Sequence, residues 1–133
     1  MSTRVSAVTA GARYRTDITS GGHAVIADES PALGGADAGF SPFSLVLAGL
    51  AACTGITLRM YGERKGWPDL ELRVELELHP GPDKDRHLIR RQVSVTGAPD
   101  EAAVARLRDI VERTPVTLAL KAGFDIATEL AAA

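Results

Sequence analysis

The chain has 133 residues, with 15 Lys+Arg against 17 Asp+Glu and a formal charge of −2. Apolar residues make up 45% and charged residues 24%, the balance of an ordinary globular protein, and one domain over residues 1–133 is expected at this length. The near-neutral charge lacks the basic stripe of a nucleic-acid binder, and one cysteine excludes an internal disulfide and a Cys-based zinc site. The N-terminus carries Arg4, Arg13 and Arg15 but no apolar h-region, so a reduced, cytoplasmic setting is expected.

Strands are expected first. Arg4 to Ala10 is short and mixed, while Tyr14 to Ile18 and His23 to Ala27 flank Ser20-Gly21-Gly22, a hairpin signal. Glu29 to Ser41 reads as loop, with Gly34-Gly35 a flexible connection that lacks the strand-turn-helix context of a phosphate site. Ser41 is a good N-cap and Pro42 fits the first helical position. The helix then runs to Lys65, where Gly66 and Pro68 stop it. At about 24 residues it is ~36 Å long. Phe43 to Leu58 holds 16 residues without charge, short of the ~20 that span a bilayer. A core helix surrounded by protein is expected, with no membrane contact.

Leu70, Leu72, Val74, Leu76 and Leu78 alternate with charged residues and predict a strand with one buried face. Pro80 to Asp83 turns the chain. Ile89, Val93 and Val95 continue the alternation, with Arg91 the odd member on that face and Arg90 set to meet the Glu row across the ladder. Pro99, Asp100 and Glu101 open a second helix to about Arg113, with Val104, Leu107 and Val111 at helical spacing. Thr114-Pro115 starts a short third helix to Lys121, and Phe124, Ile126, Thr128 and Leu130 alternate as a final strand. The order β-β-β-α-β-β-α-α-β is α+β.

Cys53 is the one soft nucleophile. It lies ~18 Å along its helix, beyond the single turn over which that helix's dipole acts. A reactive thiolate there needs a cation from elsewhere in the fold. Arg59 is turned about 240° away. Gly49, Thr57 and Tyr61 share the Cys53 stripe: Gly49 leaves space, Thr57 offers a hydroxyl, and the stripe reads as a pocket wall. The alternative is a small core residue. His23 and Asp28 fall on opposite strand faces, so no metal site is expected, and His79 and His87 flank a turn. Ser44 has no G-x-S-x-G frame.

The stretch Gly34-Gly35, Ser41-Pro42-Phe43-Ser44-Leu45, Ala51-Ala52-Cys53-Thr54, Thr57-Leu58-Arg59-Met60-Tyr61 and Glu63-Arg64-Lys65-Gly66-Trp67 resembles the OsmC/Ohr family of osmotically induced and organic-hydroperoxide-resistance proteins. The likeness continues through Val95-Thr96-Gly97, Thr114-Pro115-Val116 and Ile126-Ala127-Thr128. It implies an intertwined homodimer with antiparallel sheets around a long central helix bearing Cys53, and two active sites at the interface. It also implies reduction of organic hydroperoxides by the helix cysteine, a second cysteine that closes a disulfide, a dithiol reductant such as a lipoyl group, and an arginine–glutamate network. No cofactor is implied.

Cys53 matches the attacking position. Thr114 stands where the family has its second cysteine, and Ser44 where it has an acid. Arg13 and Arg15 are the best available arginines. The residues assigned to substrate contact are Gly49, Thr57, Tyr61, Ser44 and Thr114. A homodimer carries two copies of Cys53, so the two-cysteine cycle is closed to this chain. Three functions are compatible with the sequence: a one-cysteine peroxidase resolved by an external thiol, a dimeric binding module for a small apolar or thiol-bearing ligand, and a purely structural dimer.

Overall fold

The computed structural model describes residues 3–83 and 86–132. The architecture is α+β, with two antiparallel sheets and one long helix. The chain forms two compact units, Met1–Ala48 and Gly49–Ala133.

The first unit is a three-stranded meander of β1 (Ser6–Thr9), β2 (Thr16–Ser20) and β3 (His23–Ala27). Ser20 pairs with His23, leaving Gly21-Gly22 as a two-residue turn. Both glycines have positive φ, 55° and 83°, which the tight hairpin turn demands and which glycine adopts without a Cβ penalty. The second strand starts two residues later than the alternation suggests, because Thr16 is the first residue in register with both neighbours.

Gly34-Gly35 is held more closely than a flexible connection would be. The buried Asp28 carboxylate accepts N–H bonds from Glu29 at 2.7 Å and from Ala36 and Ala38 at 3.1 Å. A short 3-10 turn over Pro31–Leu33 ends at Gly34, and a Cβ on Gly35 would collide with the Glu29 carbonyl. The donors from Ala38, Glu29 and Ala36, with help from the Arg15 charge, hold the Asp28 carboxyl below the usual carboxylate range.

Helix α1 (Pro42–Arg64) starts in the first unit and continues into the second. Ser41 caps it as expected, its Oγ accepting from Ser44 N at 3.2 Å. Its length and apolar composition suffice to cross a membrane, yet Leu50, Thr54, Leu58 and Gly62 are buried against protein. The cover within this chain is partial: Val46, Ile56 and Met60 are 43%, 55% and 57% exposed.

In the second unit, β4 (Glu71–His79) and β5 (Leu88–Thr96) form a ladder whose register sets Arg90 opposite Glu77 and Arg91 opposite Leu76. Leu72, Leu76, Ile89, Val93 and Val95 face inward, half-buried. The core gathers Leu58 of α1, Leu70 before β4 and Leu107 of α2 (Glu101–Ile110). Helix α2 is capped by Asp100, which accepts from Ala103 N at 2.9 Å, and tightens into a 3-10 turn over Val111–Arg113. Helix α3 (Pro115–Ala122) follows.

The final strand does not form. Phe124 to Leu130 has no strand assignment, and Phe124, Ile126 and Leu130 are 68%, 85% and 91% exposed. A strand needs a neighbour for its backbone groups, and among the described residues no strand pairs with this segment.

Candidate functional site

Cys53 sits at the middle of α1, half-buried and unbonded to other sulfur. Its Sγ lies 3.7 Å from Thr57 Oγ1, as spacing of four on a helix face predicts. The sulfur also accepts the backbone N–H of Val116 at 3.5 Å. Val116 is the second residue of α3, so the donor is a first-turn N–H at the positive end of another helix. The expectation that α1's own dipole is out of reach stands; the chain instead brings a second helix start to the sulfur.

Arg91 brings a cation to α1 at Thr54, the residue after Cys53. Its Nη1 donates to Thr54 Oγ1 at 3.0 Å and to Thr117 Oγ1 at 2.7 Å, and its Nη2 to the Val111 carbonyl at 3.0 Å. Thr54 in turn donates to the Leu50 carbonyl at 2.7 Å. Glu112 lies 3.8 Å from Arg91 and 3.0 Å from Lys121. Lys121, by its hydrogen bond and its charge, and then Arg91 hold the Glu112 carboxyl below its usual range. The Arg91 side chain is 12% exposed, and three groups of net charge +1 lie along one side of the site.

Thr114 is fully buried. Thr114 is the N-cap residue of α3, its carbonyl accepting from Leu118 N at 3.0 Å, but its hydroxyl makes no cap bond and pairs with Thr117 Oγ1 at 2.6 Å. The start of α3 relies on Pro115, whose fixed φ suits the first turn.

The other assigned residues fall as follows. A Cβ built on exposed Gly49 would meet nothing within 4 Å, so the space beside the stripe is open. Tyr61 accepts from Arg106 Nε at 3.3 Å and packs edge-on against Trp67 at 5.7 Å. The Arg106 bond and the charges of Arg106 and Lys65 lower the Tyr61 pKa. Ser44 bonds Ser41 at 2.7 Å. In the first unit, Arg13 donates to the Gly34 carbonyl at 3.3 Å and Arg15 pairs with Asp17 at 3.1 Å. Arg91 was legible only as a charge among Ile89, Val93 and Val95; Val116 stood only within the Thr114-Pro115-Val116 match and its role as donor was not legible, since any residue but proline supplies a backbone N–H.

Two cavities border Arg91 and Glu112. One of about 380 Å³ is lined by Leu50, Ile89, Thr117, Leu120 and Lys121 among others. One of about 210 Å³ lies against Leu58, Val93, Val95, Val104 and Leu107. The arrangement offers a sulfur with an N–H donor aimed at it, a nearby cation, and space for a small molecule beside the same helix.

Comparison with known proteins bears on the fold and the family. Solved structures of similar fold include an OsmC-like protein from Mycoplasma pneumoniae (20% identity, TM-score 0.70, covering 91% of this chain and 88% of that one). An organic hydroperoxide resistance protein OsmC from Legionella pneumophila shows 22% identity and a TM-score of 0.65, covering 91% and 90%. The organic hydroperoxide resistance protein OhrB of Bacillus subtilis shows 24% identity and a TM-score of 0.61, covering 89% of each chain. No curated protein matches the sequence. The family model described as OsmC-like protein matches residues 34–129, a span that holds α1, the β4–β5 ladder, α2 and α3, and the chain belongs to that family.

Proposed function

We propose that this chain is a one-cysteine, thiol-dependent reductase of organic hydroperoxides that acts through Cys53 as a homodimer. The observation that carries the reading is the Val116 N–H at 3.5 Å from the Cys53 sulfur. That donor fixes where the sulfur points, and the thiolate is the form of cysteine that attacks. The family membership and the hydroperoxide-resistance proteins among its structural relatives support the same chemistry.

The thiolate attacks the terminal oxygen of the hydroperoxide. The S–O bond forms as the O–O bond breaks, and the departing alkoxide takes a proton to leave as alcohol. Cys53 is then a sulfenic acid, oxidised by two electrons. An external thiol attacks that sulfur, water leaves, and a mixed disulfide forms. A second thiol releases Cys53 and carries off the disulfide. With one cysteine in the chain and Thr114 at the position of the family's second thiol, the reductant must come from outside. A reducing compartment such as the cytoplasm supplies it.

The homodimer is supported by the exposed apolar face of α1 and by the unpaired segment from Phe124 to Leu130. Both are surfaces that a second copy would cover, and twofold dimers are the commonest arrangement.

The test is consumption of cumene hydroperoxide with dithiothreitol or dihydrolipoamide as reductant. Wild type is expected to turn over, and Cys53→Ser is expected to lose all turnover. Undiminished turnover by the serine variant contradicts the reading. A second reading, a binding module without turnover, is favoured by the 380 Å³ cavity, whose lining does not include Cys53. In that case the serine variant binds apolar ligands as wild type does and neither protein consumes peroxide.

A further inference from the structure

We propose that Arg91 is a positioning residue for the Cys53 sulfur, acting through Thr54 and Thr117. The inference rests on Cys53 being the reactive group. Arg91 does not touch the sulfur; its Nη1 holds the two residues that flank the sulfur's contact. Thr54 follows Cys53 on α1, and Thr117 follows Val116 on α3. A terminal guanidinium nitrogen carries two hydrogens, and here one goes to Thr54 Oγ1 at 3.0 Å and the other to Thr117 Oγ1 at 2.7 Å. One nitrogen therefore sets the spacing between α1 and the start of α3, and with it the 3.5 Å contact between Val116 N and Cys53 Sγ.

Nη2 fixes the third direction by bonding the Val111 carbonyl at 3.0 Å. With three anchors on three separate segments, the planar group has one orientation available. Both threonines are buried, at 0% and 5% exposure, so their hydroxyls are held mainly by protein partners. Thr114 completes the arrangement, its own hydroxyl bonding Thr117 at 2.6 Å. The residue at the family's second-thiol position is thus part of the brace that holds α3 against the sulfur.

Charge alone makes a different prediction from positioning. If Arg91 acted only as a positive charge, removing the Thr117 hydroxyl would leave Cys53 unaffected. If it acts through geometry, Thr117→Val breaks the bridge although the guanidinium stays. The readout is the rate of Cys53 alkylation by iodoacetamide at neutral pH, with near-UV circular dichroism to confirm the fold. We expect Arg91→Met and Thr117→Val each to slow alkylation on the order of tenfold, the scale at which small displacements of a reacting group are felt. Thr117→Ser, which keeps the hydroxyl, restores the wild-type rate. Slowing by Arg91→Met with an unchanged rate in Thr117→Val overturns the proposal in favour of charge alone, and unchanged rates in both overturn it outright. Should Arg91→Met fail to fold, the Thr117 pair decides by itself. Alkylation needs no peroxide, so a wild type that consumes none removes the proposed activity and leaves this result standing.

Discussion

At Cys53 the sulfur takes its N–H donor from Val116, 63 residues further along the chain, while the hydroxyl of Thr57 comes from one turn away on the same helix. The two contacts differ in how far the sequence reveals them. Spacing of four along α1 placed Thr57 and Gly49 beside Cys53 by helix geometry alone. Val116 depends on how α3 packs, and a backbone donor leaves no trace in residue type. Arg91 stood out as a charge on an apolar strand face, but its three acceptors lie on three other segments. Asp28 offers a separate test at this scale. Its carboxyl is held below the usual range by the N–H groups of Ala38, Glu29 and Ala36. In the unfolded chain it titrates near ~3.9, so its stabilisation is complete above that pH and is lost as pH falls through the lower folded value. Asp28→Asn is therefore expected to melt below wild type at neutral pH, with the gap closing in acid as wild type loses the same contribution. A gap that keeps its full size at pH ~2 contradicts this account.

Among the elements, the β4–β5 ladder was legible because strict alternation over Glu71–His79 leaves one register that buries Leu72, Val74, Leu76 and Leu78 together. Helix α1 was legible from Ser41-Pro42 at one end and Gly66 at the other. The segment from Phe124 to Leu130 has the same period-two pattern but pairs with no strand among the described residues. Periodicity reports which face a strand would bury and says nothing about where its partner is. The burial of α1 was likewise half legible: an apolar composition marks a helix for the interior without saying which of its faces this chain covers. Leu58 tests the wall that is present. It is 1% exposed in the cluster with Leu70 and Leu107, and Leu58→Ala is expected to destabilise by about 2–5 kcal/mol, the usual range for truncating a fully enclosed leucine. Urea unfolding measures this, and a loss below about 0.5 kcal/mol, the size of an ordinary surface substitution, would mean that the core is centred elsewhere.

Considered as a whole, the described residues leave large apolar side chains exposed on more than one element. Ile56 and Met60 lie on one face of α1, and Phe124, Ile126 and Leu130 stand in solvent. Large exposed apolar areas mark interaction surfaces. In the proposed dimer Ile56→Lys puts a charge into the shared seam, and light scattering is expected to fall from the mass of two chains to that of one. A wild-type mass of a single chain at micromolar concentration would remove the dimer from the account. The chemistry is tested most directly by treating reduced protein with one equivalent of cumene hydroperoxide and measuring intact mass before and after adding dithiothreitol. The account predicts that the chain gains one oxygen, confined to Cys53, and that the thiol removes it. Protein that keeps its reduced mass while the peroxide is left unconsumed would contradict the proposed function.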